Sequence, residues 1–325
     1  MDFLHIKTLY LEVTHACNQQ CRHCYLDGGI QKPTMEMSFE QIKEILQQFK
    51  EQGGTYIIIT GGEPLVRTDI FSILDYIEEL SIPFNFASNG LALNKARFER
   101  LTANKCLDMY FTSILGSDAA KHKMISSKDS YNKVINSLVN FEKRNIPIYV
   151  QVTLANAYLN DMEQIADTLL KHDNCTVKFT PIATLGTKTE EANRGIIVPE
   201  DRFSLFHSNI TSLQSKYPDR IENGNILNHE QIAEIIADYK HEKLYALSYG
   251  FIAVRPNGDI SFSCNMGNPY TFGKAYESIR IPVDQKLLGY VELLRNAESL
   301  ALRAAEHSII EFDVAVDRYI VKQTL

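Results

Sequence analysis

Residues 17–24 read Cys17-Asn18-Gln19-Gln20-Cys21-Arg22-His23-Cys24. They follow the segment Lys7 to Val13, where apolar residues recur at every second position and predict a β-strand. The three cysteines, spaced Cys-x3-Cys-x2-Cys, therefore lie in one loop. Thiolates are soft ligands that suit zinc or iron–sulfur clusters. A coordination shell that lacks a fourth protein ligand leaves one position open for chemistry.

Two simpler interpretations stay open at this point. The cysteines could hold zinc, with His15 or His23 as the fourth ligand. They could also be three unrelated buried thiols, although their tight spacing in a polar loop argues against that.

Composition restricts the class of protein. The chain has 325 residues, of which 45% are hydrophobic, and a formal net charge of −7. No apolar run reaches the roughly 18 residues of a membrane span, and Met1 to Tyr10 lacks the layout of a signal peptide. The six cysteines are too few for a disulfide framework, and there is no basic run of the kind that binds nucleic acid. We expect a cytoplasmic protein with neither a membrane nor a nucleic-acid partner.

The first part of the chain alternates between strand-like and helix-like periodicity. Six such steps predict parallel βαβ units and an α/β fold. The predicted strands are residues 7–13, 56–60, 82–87, 107–115, 147–154 and 176–182, and the predicted helices are residues 39–49, 70–80, 94–102, 131–144 and 161–172.

A second motif, Gly61-Gly62-Glu63-Pro64, directly follows the strand Tyr56 to Thr60. Ligands collect at the carboxyl ends of parallel strands, and paired glycines let a backbone approach a ligand closely. A plain turn would also use glycines. Together with the three-cysteine loop, however, the motif points to a ligand site.

The two motifs together resemble the signature of the radical S-adenosylmethionine (SAM) superfamily, Cys-x3-Cys-x-aromatic-Cys with Gly-Gly-Glu-Pro. The resemblance implies a partial (β/α)6 TIM-like barrel with one [4Fe–4S] cluster held by Cys17, Cys21 and Cys24. It further implies that SAM binds the open iron and is reductively cleaved to a 5′-deoxyadenosyl radical, which abstracts a substrate hydrogen. An electron donor such as flavodoxin or ferredoxin would supply the electron.

The same resemblance assigns SAM contacts. Gly61, Gly62, Glu63 and Pro64 would meet the amino group through backbone oxygen and the acidic side chain, and His23 would lie near the adenine. Ser88 and Asn89 resemble the family's Ser/Thr-Asn-Gly, and Ser113 begins a stretch like the Ser-x-Asp-Gly of the peptide-modifying branch. Two positions depart from the pattern: Leu115 replaces that Asp, and Ser126 stands where many relatives have an Arg near the SAM carboxylate. His122 keeps a residue that is common in this branch.

The C-terminal region resembles a degenerate SPASM or twitch domain, a small α+β extension. A turn at Pro256-Asn257-Gly258-Asp259 predicts a hairpin that leads to Cys264, and a long helix is predicted over residues 284–305. Ser248 stands near the first ligand position of such domains, and no cysteine follows Cys264. We therefore expect one cluster only, with domain boundaries at 1–190, 191–243 and 244–325.

A retained thiol beside a lost cluster site suggests a role for Cys264. In radical epimerases of this superfamily a cysteine donates a hydrogen atom to the substrate radical, and Cys264 is the candidate; a buried structural thiol is the alternative. Cys106 and Cys175 precede predicted strands, at the barrel end away from the chemistry, and are expected to be inert.

The leading functional hypothesis is modification of a ribosomally made peptide, with epimerisation favoured. The alternatives are oxidative thioether or carbon–carbon crosslinking, dehydrogenation, and epimerisation of a sugar or aminoglycoside. A non-catalytic metal-binding relative is a further alternative. Because the barrel starts at once, a separate protein would have to bind a leader peptide.

Overall fold

The computed structural model describes residues 3–24, 26, 36–182, 195–223, 226–227, 230, 233, 251–262, 271–282, 284–304 and 310–311. Within these residues the six strand–helix steps are confirmed. Strands β1 to β6 span Thr8–Glu12, Tyr56–Thr60, Phe84–Ala87, Leu107–Ile114, Ile148–Leu154 and Cys175–Pro181. Helices α1 to α6 span Phe39–Glu51, Ile70–Glu79, Lys95–Ala103, Ala119–Ser126, Tyr131–Lys143 and Met162–Leu169.

Local sequence sets the start of α1. The Ser38 hydroxyl accepts a hydrogen bond from the Gln41 backbone N–H (3.2 Å), and the Gln41 side chain accepts one from the Ser38 N–H (2.9 Å). This capping box satisfies two helix-end donors, and an N-cap of this kind contributes about 1 kcal/mol. The apolar residues of the helix share one face and are buried: Ile42, Ile45, Leu46 and Phe49. The same amphipathic logic applies to α2 and α5.

Within the residues that the structure describes, the main sheet has nine strands in the order β10-β9-β1-β2-β3-β4-β5-β6-β7. Three of these follow the sixth step: β7 is Ile221–Asn223, β9 is Phe251–Val254 and β10 is Ile260–Ser261. All neighbours are parallel except β9 and β10. The end strands β10 and β7 do not pair with each other, so the sheet is a TIM-like partial barrel that is not closed.

Alternation along the strands separates two faces of the sheet. The outward side chains are apolar and fully buried, among them Leu9, Leu11, Ile57, Ile59, Phe84, Phe86, Val150 and Val152. Burial of each contributes roughly 1.5–3 kcal/mol. The inward side chains are largely half-buried and often polar, as at Tyr10, Asn85 and Gln151, because they face a cavity.

Helix α4 and strand β7 are not predicted by sequence periodicity. Helix α4 begins where the Asp118 carboxylate accepts a hydrogen bond from the Lys121 N–H (2.8 Å), and it ends at Ser127, whose φ is +64°. Its sequence carries too few regularly spaced apolar residues to reveal a helix. Strand β7 has only three residues and is defined by its pairing with β6.

The predicted hairpin at residues 256–259 is confirmed, because β9 and β10 are antiparallel neighbours around Gly258, whose φ is +84°. Strand β9 also pairs in parallel with β1, from Thr8 opposite Phe251 to Leu11 opposite Val254. The hairpin therefore extends the barrel sheet. Helix α7 spans Phe203–Lys216, and helix α8 spans Gln285–Ala304. The long helix predicted over residues 284–305 is confirmed as α8.

Two short strands, β8 (Ile226–Leu227) and β11 (Ile310–Glu311), form a separate antiparallel pair. The predictions made for Cys264 and Ser248 fall outside the described residues. The domain boundaries near residues 190 and 243 stay a prediction. In the described part of the chain, no helix has both the length and the apolar composition that crossing a membrane requires.

Candidate active site

A cavity of about 510 Å³ opens among the carboxyl ends of the barrel strands, a size typical of small-molecule sites. Cys17, Cys21 and Cys24 all line it. So do most of the other residues assigned from sequence: His23, Gly61, Gly62, Ser88, Asn89 and Ser113. The fold thus brings the three-cysteine loop and three strand ends to one space.

The three-cysteine loop is anchored to the end of α4. The Arg22 N–H donates to the Ile125 carbonyl (2.8 Å), and the Gln20 N–H donates to the Ser127 hydroxyl (3.1 Å). Cys21 Sγ lies 3.9 Å from the Ser126 carbonyl oxygen. Helix α4, which periodicity does not predict, therefore anchors the three-cysteine loop.

The paired glycines hold the other side of the loop. The Gly62 N–H donates to the Thr14 carbonyl (2.7 Å), and the Glu63 N–H donates to the Ala16 carbonyl (2.9 Å). A Cβ at Gly61 would lie 2.2 Å from Thr14 O, and one at Gly62 would lie 2.3 Å from Ala16 O. Gly61 also has a φ of +144°, which L side chains rarely adopt. Glycine is required because the two loops touch backbone to backbone.

Glu63 is fully buried, and its carboxylate is turned towards the end of β3. It accepts hydrogen bonds from the Leu65 N–H (3.1 Å), the Ser88 hydroxyl (2.9 Å) and the Asn89 N–H (2.7 Å). Burial nevertheless raises the pKa of Glu63 to about 7. Neither Glu63 nor Pro64 lines the cavity, so the expected contact of this side chain with SAM stays a prediction.

Asn89 connects the end of β3 to the cysteine loop. Its side-chain amide donates to Asn18 Oδ1 (2.8 Å) and lies 3.6 Å from Cys17 Sγ. Burial raises the pKa of the Cys17 thiol to about 11, and the nearby Glu63 carboxylate acts in the same direction. Cys17 is thus a neutral thiol here, and binding a metal would displace its proton.

A buried hydrogen-bond chain joins β4 to the same loop. The Leu115 N–H donates to His122 Nδ1 (3.2 Å), so His122 Nε2 carries the proton and donates to Ser130 Oγ (2.8 Å). Gln19 Nε2 donates to the same Ser130 oxygen (2.9 Å). Burial lowers the pKa of His122 to about 4, so the ring is neutral at pH 7. Through these contacts His122 positions the three-cysteine loop.

The donor set fits an iron–sulfur cluster better than zinc. Among the described residues, no three His, Cys, Asp or Glu side chains converge as a single ion requires. A [4Fe–4S] cluster takes its thiolates on different irons, so three thiols spread around one cavity suit it. His15 does not line that cavity; its Nε2 lies 3.0 Å from a Glu12 carboxylate oxygen.

Other residues singled out in the sequence lie away from the cavity. Ser126 is buried and donates its hydroxyl proton to the Lys128 carbonyl (2.8 Å). Cys106 precedes β4 and Cys175 begins β6, and neither lines the cavity. Burial raises the pKa of Cys175 to about 12, as expected for an inert thiol. Leu115, in contrast, does line the cavity.

Sequence reasoning did not single out Gln151, Thr153 and Thr180, which line the wall formed by β5 and β6. The signal was available: polar residues at every second position of β5 indicate a face that is not packed against helices.

Comparison with known proteins agrees with this geometry. Residues 11–170 match the model of the radical SAM superfamily. This stretch of the chain is therefore a radical SAM domain. The radical SAM region therefore contains all three loop cysteines and both strand-end motifs.

Among curated proteins, the chain is similar to mycofactocin maturase MftC of Mycobacterium ulcerans, with 31% identity over 160 residues that cover 48% of this chain and 43% of that protein. It is also similar to a probable GTP 3′,8-cyclase of Archaeoglobus fulgidus, with 29% identity over 65% of this chain and 67% of that protein. The matched region spans less than half the length of the maturase.

Among solved structures, the chain resembles Streptococcus suis SuiB bound to S-adenosylmethionine. The TM-score is 0.71 at 17% identity, over 89% of this chain and 68% of that chain. SuiB has also been solved bound to its precursor peptide SuiA. At this identity the likeness concerns the fold.

Proposed function

We propose that this protein is a radical SAM enzyme that modifies a ribosomally made peptide. The observation that carries the proposal is the placement of Cys17, Cys21 and Cys24 on one cavity with the ends of β2, β3 and β4. The three thiols would hold one [4Fe–4S] cluster, and Gly61, Gly62, Ser88, Asn89 and Ser113 would face SAM.

A bound cluster and SAM would together supply a 5′-deoxyadenosyl radical by one-electron cleavage of the sulfonium. The chain's own residues position these groups. Asn89 steadies the loop at Cys17, and the chain from Leu115 through His122 and Ser130 steadies it at Gln19. Because the His122 ring is neutral at pH 7, it adds no positive charge to a site that would bind a cationic cofactor.

The peptide substrate is supported by the resemblance to MftC and by the fold shared with SuiB, which binds the peptide SuiA. A separate protein would bind the leader peptide, and a flavodoxin or ferredoxin would deliver electrons. The cytoplasm, where such donors and an oxygen-sensitive cluster persist, is the proposed location.

The first experiment counts iron and sulfide after anaerobic reconstitution, with the wild type beside Cys17→Ala/Cys21→Ala/Cys24→Ala. We expect about four irons in the wild type and none in the variant, as for a single cluster. Wild-type protein with dithionite should also release 5′-deoxyadenosine from SAM. A loaded protein that never cleaves SAM would instead be a non-catalytic relative.

About eight irons in the wild type, with four left in the triple variant, would reveal an auxiliary cluster. An auxiliary cluster can accept an electron, so oxidative crosslinking or dehydrogenation would then replace epimerisation as the proposed reaction.

Within the peptide-modifying class we propose epimerisation at a Cα, with Cys264 as the hydrogen donor. Bound SAM would supply the radical that takes the hydrogen atom of the substrate Cα–H bond, which leaves a radical at Cα. The Cys264 S–H bond then breaks as its hydrogen adds to the opposite face of Cα, leaving a thiyl radical. One electron from the flavodoxin or ferredoxin and one solvent proton restore the thiol. The proposal comes from the sequence alone, because Cys264 lies outside the described residues.

A reaction in D2O tests this step, because an exchangeable thiol passes one deuterium to the inverted centre. We expect Cys264→Ala to cleave SAM but to lose both inversion and deuterium. Cys106→Ala is the matched control, since Cys106 lies before β4 and does not line the cavity. Undiminished inversion in Cys264→Ala would remove Cys264 from the mechanism.

A second candidate is radical SAM chemistry on a small molecule. It is favoured by the match to a GTP 3′,8-cyclase, which covers more of this chain than the match to the maturase. Turnover of a sugar, aminoglycoside or nucleotide with no peptide present would support it.

A further inference from the structure

The three-cysteine loop reaches the protein surface where it contacts the end of helix α4. Cys21 Sγ lies 3.9 Å from the carbonyl oxygen of the buried Ser126, and the next residue, Ser127, is exposed. Gln20, which precedes Cys21, is exposed as well, and its N–H donates to the Ser127 hydroxyl (3.1 Å). On both sides of this contact, the surface is therefore one residue away in sequence.

Positive charge collects at this surface, although the chain as a whole carries a net charge of −7. Lys123 and Lys128 are exposed on either side of Ser127, and Arg22 is half-buried on the cysteine loop. In the described part of the chain, no carboxylate lies within ion-pair distance of these three cations. Asp129 is an exposed acid in the same stretch, so cations outnumber it here.

An exposed methionine lies among these cations. Met124 follows Lys123 in α4 and is 61% exposed. Its sulfur accepts a hydrogen bond from the Tyr158 hydroxyl (3.4 Å). Burial raises the pKa of Tyr158, and the positive charges of Lys121 and Arg22 oppose that rise, which places Arg22 on the same side of α4 as Met124. Methionine is flexible and frequent at adaptable binding surfaces.

We call this surface the basic face, and Lys121 does not belong to it, because its ammonium is paired with Asp161 (2.8 Å). The basic face consists of Gln20, Arg22, Lys123, Met124, Ser127 and Lys128.

An apolar centre among cations suits a small, transient interface with an acidic protein, because complementary charge speeds the encounter. The proposed reaction consumes one electron for each SAM that is cleaved. A protein that supplies it has to bring its redox group close to the cluster, since electron transfer weakens steeply with distance. The basic face offers that approach beside Cys21.

We infer that the basic face docks an acidic one-electron donor protein of the flavodoxin or ferredoxin type. Arg22, Lys123 and Lys128 meet its carboxylates, and Met124 meets the apolar surface around its redox group. One electron leaves the reduced flavin or iron–sulfur group of the donor, which is oxidised, and passes beside Cys21 to the cluster, which is reduced. No bond forms or breaks in this step. The inference deepens the proposed function and rests on it.

The test compares two reductants on the reconstituted enzyme at low ionic strength. One is a reduced bacterial flavodoxin with a strongly negative net charge, and the other is photoreduced 5-deazariboflavin, a small uncharged molecule that needs no docking surface. Visible absorbance follows reduction of the cluster, and 5′-deoxyadenosine is measured on the same samples. We expect Lys123→Glu/Lys128→Glu to lower the second-order rate constant for reduction by flavodoxin about tenfold. Reduction by deazariboflavin should change less than twofold.

Lys143→Glu/Lys171→Glu is the matched control, because it makes the same change in charge at the opposite end of the barrel. Lys143 lies in the last turn of α5, as Lys123 lies in the last turn of α4, and both control lysines are exposed. The control should reduce at the wild-type rate with both reductants. The difference caused by Lys123→Glu/Lys128→Glu should shrink at about 0.5 M salt, where the Debye length is roughly 4 Å.

Lys123→Ala/Lys128→Ala removes the charges without reversing them and should give a smaller loss in the same direction. It replaces the first variant if circular dichroism shows that the glutamates disturb folding. Equal rates of reduction by flavodoxin in these variants and in the wild type would overturn the inference, and so would an equal loss in the control.

An equal loss with deazariboflavin would assign the lysines to the surroundings of the cluster and would also overturn the inference. Unchanged reduction by flavodoxin, together with a loss of self-association in size-exclusion chromatography, would assign the basic face to contacts between copies of this chain. Failure of the proposed function would look different, because the cluster would then be reduced by both donors without any release of 5′-deoxyadenosine.

Discussion

The fully buried Glu63 shows how a single residue can couple the site to pH. Its three hydrogen-bond donors favour the ionised form, but its burial outweighs them and raises the pKa to about 7. In the unfolded chain the value is close to 4.5. Between these values the folded state holds more protons than the unfolded state, so the free energy of unfolding falls as pH rises.

We therefore predict that the free energy of unfolding of the apoprotein decreases by about 3 kcal/mol between pH 4.5 and 8 through Glu63. In Glu63→Gln this part of the pH dependence disappears. The variant also loses the acceptor for the Asn89 N–H, which lowers its stability by about 1–3 kcal/mol at low pH. Urea unfolding from pH 5 to 8 measures both effects.

Glu40→Gln is the control for that experiment, because the Glu40 side chain is 77% exposed. His122 acts in the opposite direction: its lowered pKa makes stability rise with pH between about 4 and 6.5. Only the difference between variant and wild type isolates Glu63. An unchanged slope in Glu63→Gln would show that folding does not raise the pKa of the Glu63 carboxyl.

At the scale of elements, the loop after β2 and the loop after β1 act as one unit. Their contact is made by backbone atoms, and backbone cannot move aside as a flexible side chain can. The cysteine loop should therefore respond to a change at a residue that binds nothing itself.

We predict that Gly62→Ala displaces the segment around Ala16 and lowers iron retention about tenfold at limiting iron, since the overlap imposes about 1–3 kcal/mol of strain. Iron analysis after gel filtration measures the loss. Gly289→Ala in α8 is the matched control, because its added methyl would meet no heavy atom within 4 Å. Full iron in Gly62→Ala would mean that the two loops move independently.

The sequence predicted the bounds of an element correctly where local capping and propensity rules agreed with the strand pairing of the fold. The start of α1 follows from Ser38 and Gln41, and the strand Tyr56–Thr60 is bounded as predicted. Helix α4 was not predicted because tertiary contacts with the cysteine loop stabilise it, rather than an apolar stripe that the sequence would reveal. The pairing of β1 with Phe251–Val254 was also not predicted. About 240 residues separate the two strands, and periodicity carries no information about pairing at that distance.

The sequence predicted only part of the lining of the cavity. The cysteines and strand-end motifs carry recognisable spacing, so their convergence followed from the topology of parallel strands. Gln151, Thr153 and Thr180 have no motif, and their face became apparent only when β5 and β6 were paired.

At the scale of the whole molecule, β9 makes the C-terminal region part of the barrel sheet. Without it, β1 would have an open edge along Thr8 to Leu11, directly before the cysteine loop. Unpaired edges invite association with other chains. The barrel region alone therefore has an incomplete sheet.

We predict that a chain ending at residue 243 aggregates or unfolds at much lower urea than the full protein, because it lacks β9 and β10. A chain ending at residue 304 keeps β9, β10 and α8 and is the control. Size-exclusion chromatography with urea unfolding distinguishes the two. A monomeric, cooperatively folded 1–243 chain would support the predicted boundary as that of an independent domain.

The pairing of β9 with β1 also sets an order of events during synthesis. Ribosomes add about 5–20 residues per second, so β1 waits roughly 10–50 seconds for its second neighbour. Throughout that interval the strand that leads into the cysteines is flanked on one side only. A nascent chain therefore exposes one edge of β1, directly before the three-cysteine loop, until the last strands of the sheet emerge and pair with the first.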